Sequence, residues 1–147
     1  MRQLSFQRMF VTLHKQDDVP VGVPTQLSGN SIYLQGTIDG IPFTFSSSET
    51  NALEASGPNA IAPAGRGLLL LEFHIGRIIK KLDLSSISSS ADISNSNKYS
   101  VANPCPMINP TLSDIYTCFK EGLETESNLG VDLDADFVLE STDETVD

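Results

Sequence analysis

Between Ser31 and Ser46 the chain alternates apolar and polar positions with a period of two on either side of Asp39-Gly40. Asp-Gly is a strong signal for a two-residue type I′ turn, because both central residues need positive φ, which Asp tolerates and Gly adopts freely. The pattern predicts an antiparallel hairpin over 31–46, pairing 38 with 41, 36 with 43 and 34 with 45. Ile32, Leu34, Gly36, Ile38, Ile41, Phe43 and Phe45 then share one face. Tyr33, Gln35, Thr37, Thr44 and Ser46 take the other. Gly36 falls opposite Phe43, whose ring covers the backbone that glycine leaves bare. Pro42 falls at a non-hydrogen-bonded position, so the outer side of its strand is expected to be an edge or a bulge. The apolar face reads as core, not as a binding surface.

The flanking segments are less regular. Ser5–Lys15 reads as a first strand with Phe6, Met9 or Phe10, Val11 and Leu13 inward and a bulge near Arg8-Met9-Phe10. Gln16–Pro20 has turn chemistry. Residues 46–67, rich in Ser, Ala, Asn, Pro and Gly, read as a long surface loop, with a short strand or helical turn near Asn51–Ala55 as the alternative. Leu68–Leu84 fits two templates. As a hairpin about Gly76-Arg77 it sets Glu72 opposite Lys81 but leaves Lys80 on the apolar face. As a helix it gathers Leu71, Ile75, Ile78, Ile79 and Leu82 into one stripe, with Gly76 as the weak point. The β-rich surroundings favour strands.

Residues 85–103 are serine-rich, with Ile87, Ile93, Tyr99 and Val101 as isolated apolar anchors, and read as a linker or an extended arm. Thr111-Leu-Ser-Asp114 resembles a capping box opening one short helix near 111–121, with Leu112, Ile115, Tyr116 and Phe119 as its stripe and Gly122 at the C-cap. Val131–Phe137 alternates again, and reads either as a strand with its carboxylates outward or as a docking arm.

Composition supports this outline. Trp is absent, aromatics are 7%, and 147 residues suit one domain, so the expectation is a mainly β protein: a small antiparallel sandwich or barrel-like domain over 1–120. Charge then separates the tail. All nine Lys and Arg lie at or before Lys120 together with nine acids, and the other ten acids lie from Glu121 onward. The body is neutral and 121–147 is an acidic tail, so nucleic acid and acidic membrane surfaces are disfavoured as partners. No apolar run has the length of a bilayer span or of a signal-peptide core, which points to a protein not secreted through a signal peptide. A virion or cytoplasmic setting follows, in which Cys105 and Cys118 are by default reduced thiols.

Candidate chemistry is thin. Glu72 and His74 sit two apart on a strand and so point to one face, as a surface pair or an acid–base pair. The two cysteines are too far apart for a CxxC motif, and no phosphate-cradling or nucleophile-elbow motif is present. Asp132, Asp134, Asp136 and Asp143 match the first, third, fifth and twelfth positions of a calcium loop, but Phe137 stands where such a loop needs glycine. No cofactor is expected. The reading these features favour is a non-catalytic structural or assembly module that binds other protein subunits, homo- or hetero-oligomeric, in a viral or phage particle. The alternatives are a carbohydrate-binding β-module using scattered Tyr33, Tyr99 and Tyr116, and an enzyme using His74 and Glu72.

Overall fold

The computed structural model describes residues 6–15, 17–18, 21–61, 68–134, 136, 138–139 and 144–145. Its elements in chain order are β1 (Phe6–Leu13), a 3-10 turn (Thr25–Leu27), β2 (Ile32–Ile38), β3 (Ile41–Ser47), β4 (Asn51–Ile61) and β5 (Leu68–Phe73). There follow α1 (Ile75–Lys80), β6 (Ala91–Ser94), α2 (Ile115–Thr125), β7 (Ser127–Asp132) and the short β8 (Glu144–Thr145). The strands form three small sheets, ordered β1-β4, β2-β3-β6 and β5-β7-β8, and every pairing is antiparallel except β3 with β6. The molecule is mainly β, and its strands are gathered on one helix.

The hairpin has the expected register, with Leu34 opposite Phe45, Gly36 opposite Phe43 and Ile38 opposite Ile41. Asp39 and Gly40 take φ of 50° and 81°, as a type I′ turn demands. A Cβ placed on Gly36 would lie 3.0 Å from Cε1 of Phe43, so the ring does lie on the glycine. The edge expected at Pro42 is largely closed, because β6 pairs with β3 from Phe43 onward.

In β1, Met9, Val11 and Leu13 turn inward while Phe10 is 71% exposed, and the register with β4 slips between Phe6 and Arg8. Its partner corrects the loop expected over 46–67, since Asn51–Ile61 is an eleven-residue strand. Asn51, Leu53 and Ala55 are buried in alternation with exposed or half-exposed neighbours. Two of those three are small or polar, so the period carries little apolar contrast.

Leu68–Leu84 is neither of the two templates. Leu68–Phe73 is a strand paired with β7, its partners lying 54 to 64 positions further along the sequence, and Ile75–Lys80 is a helix. Lys80 thereby leaves the apolar side for solvent, and Lys81 bonds Glu126 rather than Glu72. The serine-rich segment is pinned by the parallel β6 and by its anchors, of which Ile87 and Ile93 are buried.

α2 is the hub. Ile115, Tyr116, Cys118, Phe119, Gly122 and Leu123 are all buried on it. They meet Phe45 of β3, Leu53 of β4, Ile78 of α1 and Ile93 of β6 in the larger core. The helix begins later than expected. The Thr111 hydroxyl bonds Asn109 Oδ1 at 2.7 Å in a local turn, so Asp114 itself caps, accepting from the Thr117 amide at 2.7 Å. Gly122 is not a C-cap but an interior residue: a Cβ there would lie 2.7 Å from Cγ2 of Ile78, so α1 crosses α2 at the one position with no side chain. The helix therefore runs on to Thr125, and β7 follows with Leu129, Gly130, Val131 and Asp132 buried. Residues 121–132 belong to the body, and the acidic tail starts only after them. A smaller core of Ala55, Ile61, Leu129 and Val131 joins β4 to β7.

The cysteines are bridged, correcting the expectation of reduced thiols. Cys105–Cys118 has a Cα–Cα distance of 6.0 Å and ties the loop before α2 to its buried face.

Candidate functional site

Four places concentrate chemistry or unpaired surface. Two were anticipated. Glu72 and His74 do face the same way, with Nε2 of His74 3.4 Å from Oε2 of Glu72 and both side chains partly exposed. His74 also precedes α1, and its amide and carbonyl are spent on joining β5 to the two helices. Neither residue lines the clefts of about 310, 260, 350 and 510 Å³.

Asp132, Asp134 and Asp136 are brought together, each offering an oxygen within 4.8 Å of the others, whereas Asp143 and Phe137 lie outside the described residues. Asp132 is buried, not outward, because Leu129 and Val131 fix β7 with its other face also closed. A hydrogen bond shared with Asp132 raises the Asp134 pKa, as expected of carboxyls competing to ionise in one place. Asp134 Oδ1 also accepts the Asp136 amide at 3.3 Å, and Asp136 Oδ1 the Val138 amide at 2.9 Å. The described residues supply three side-chain ligands where calcium takes six to eight oxygens in all.

A third cluster was not anticipated. Tyr116, only 2% exposed, stacks on Phe45 and donates its hydroxyl to Glu49 Oε2 at 2.8 Å. Lys120, one helical turn on, reaches the same oxygen at 3.1 Å. Ser47 Oγ lies 2.8 Å from the Tyr116 hydroxyl, and Asn51 Nδ2 reaches Ser47 Oγ, Ser31 Oγ and the Glu49 carbonyl. Burial first, then the Glu49 carboxylate, pushes the Tyr116 pKa up to about 12, while the bonds from Tyr116 and Lys120 hold Glu49 low. A phenol held that high is a hydrogen-bond donor at neutral pH and not a base. The network clamps the β3–β4 turn onto α2. Of its parts, only the helical spacing of Tyr116 and Lys120 was open to a sequence reading.

The remaining feature is a set of unpaired strand edges. Among the described residues β5 lies at the edge of its sheet, and it opens with four consecutive leucines, Leu68–Leu71. Leu68 and Leu69 point to opposite faces and are 37% and 43% exposed. β2 is likewise an edge strand among the described residues. Beside it runs a cleft of about 260 Å³ lined by Ser31–Leu34, Leu13, Leu27, Phe73, Ile75 and Leu123, none of them charged.

Comparison with known proteins returned no matching family model, no similar curated protein and no similar solved structure. Among the described residues, no helix is long and apolar enough to cross a membrane.

Proposed function

We propose that this chain is a non-catalytic assembly module that binds other protein subunits in a larger particle, a viral or phage particle being the setting that suits it best. One observation carries the reading: an edge strand that opens with four leucines, Leu68–Leu71, of which Leu68 and Leu69 are exposed on opposite faces. Edge strands that stay monomeric are usually shortened, twisted away or guarded by inward charges, because unpaired amides and carbonyls template further pairing. Here the first four positions carry no charge, Glu72 coming only after them, and continuous apolar runs are characteristic of strands covered on both faces. A partner supplies that cover.

Other features agree. The most elaborate polar cluster, around Tyr116, spends its hydrogen bonds on holding a turn. Burial of the Tyr116 ring removes it from any sugar-stacking surface. A disulfide persists on virion and cell surfaces and in other oxidising settings, and weighs against the cytoplasm. The test is size-exclusion chromatography with light scattering on the native chain and on Leu68→Lys/Leu69→Lys. Association of the native chain, lost in the double variant, supports the reading; a native chain that is strictly single and carries no partner through purification overturns it.

A further inference from the structure

We infer that the subunit β5 binds is a second copy of this chain: the free edge of β5 in one copy adds to the free edge of β2 in the next, seating leucines of the 68–71 run in the cleft beside β2. This rests on the assembly reading above and names its partner.

The cleft itself argues for a strand as its occupant. Four consecutive residues of β2, Ser31–Leu34, line it. Successive side chains of a strand point to opposite faces, so a cavity that touches all four lies along the strand's edge, where backbone amides and carbonyls project. Its volume of about 260 Å³ falls below the roughly 300–1,000 Å³ of pockets that enclose a whole small molecule. A space of that size beside an open edge suits a few side chains from an added strand, the arrangement in which backbone bonds give affinity and alternate residues fill pockets.

Charge and apolar bulk together select the strand. With no charged residue in the lining, burying a charge there would leave it desolvated and unpaired. Each of the longer strands at sheet edges apart from β2 carries a charge within its span: Arg8 in β1, Glu54 in β4, Glu72 in β5 and Asp92 in β6. The β4 edge is in addition partly covered, since the Glu54 amide donates to Glu124 Oε1 at 3.1 Å. Only β5 among these sets four large apolar residues in succession clear of its charge, Leu68–Leu71, with Leu68 and Leu69 exposed. The contact joins unlike edges, so each copy keeps one donor and one acceptor. With a net charge of −10 per chain, association through uncharged edges strengthens as salt screens the repulsion.

The experiment is complementation by mixing. A donor-blocked variant, Leu68→Lys/Leu69→Lys, and an acceptor-blocked variant, Tyr33→Lys, are each measured by light scattering with the native chain as reference. Leu27→Lys, which changes the cleft and leaves β2 intact, is the second acceptor-blocked variant should Tyr33→Lys misfold by circular dichroism. The native chain is expected above 15.9 kDa, more so at high concentration and salt, with each blocked variant at 15.9 kDa. An equimolar mixture of the two blocked variants regains a two-chain species, because one sound β5 and one sound β2 remain. A mixture that stays at single-chain mass means each edge pairs with its own kind, and overturns the inference. Blocked variants that still associate do the same. A native chain at single-chain mass that nevertheless carries a different protein through purification overturns the second copy as partner and leaves the assembly reading standing.

Discussion

Replacing Gly122 by alanine tests the claim that α2 is a hub packed without slack. Two effects oppose each other. In a helix interior, Gly to Ala is favoured by roughly 1 kcal/mol through backbone entropy. Against that, the new Cβ would stand 2.7 Å from Cγ2 and 3.2 Å from Cγ1 of Ile78, and 3.3 Å from Cδ1 of Ile108. Carbon contacts are optimal at about 3.5–4.0 Å, so α1 must withdraw by something near an ångström. Overpacking of this kind costs typically ~1–3 kcal/mol, and Ile78 is fully buried with nowhere to turn. The net expectation is a loss of about 0–2 kcal/mol, and each kilocalorie lowers Tm by roughly 2–4 °C in a domain of this size. Thermal melts followed by circular dichroism read the change. Ile78→Ala removes both offending carbons, so Gly122→Ala made on that background should cost at least ~0.5 kcal/mol less than on the native one. Gly76→Ala is the control, since a Cβ there meets nothing within 4 Å and should stabilise by about 0.5–1 kcal/mol. A higher Tm for Gly122→Ala on the native background would refute the close crossing of α1 and α2.

Further outcomes follow from the same geometry. Unreduced, denatured protein should show no free thiol and two after reduction, and Cys105→Ala/Cys118→Ala should lose about 3 kcal/mol, as expected for a loop of this length, in denaturant titrations. Tyr116→Phe should cost ~1–3 kcal/mol by removing the donor to Glu49. Because its folded pKa of about 12 exceeds the unfolded value of 10, the stability Tyr116 adds is intact below pH 10 and lost as pH rises through 12, so ultraviolet titration should show one tyrosine ionising late. Asp134 is a raised carboxyl, whose contribution is present in acid and lost as pH rises. Asp134→Asn should therefore raise Tm at pH 7 and leave it unchanged in acid below the carboxylate range, and a lower Tm at pH 7 would contradict the crowding described for that cluster.

What could be read from the sequence depended on side-chain contrast. The hairpin was legible to the residue because Ile, Leu and Phe alternate with Tyr, Gln and Thr around a turn dipeptide that admits one geometry. β4 was not, because its inward residues include Asn51 and Ala55, and the partner that orders them is β1, some forty residues earlier. Leu68–Lys80 defeated both periodic templates because Leu and Ile occur at strand and helix spacings alike. The boundary at His74 is set by pairing with β7 and by Gly122, both distant in sequence. Asp132 looked like an outward carboxylate since alternation reports one face only, and the second face of β7 is closed as well. Hydrogen bonds of the Tyr116 network join residues up to 71 positions apart, so no local pattern announces it. The leucine run was visible from the start, but its meaning depended on learning that β5 ends a sheet.

Whether this molecule works in company decides its function. Native mass spectrometry of protein isolated from its own source, under conditions that preserve non-covalent contacts, asks that directly. The prediction is a dominant species heavier than 15.9 kDa, containing further subunits that dissociate when Leu68 and Leu69 are changed to lysine. A bare 15.9 kDa species at every concentration, unaffected by those changes, would contradict it.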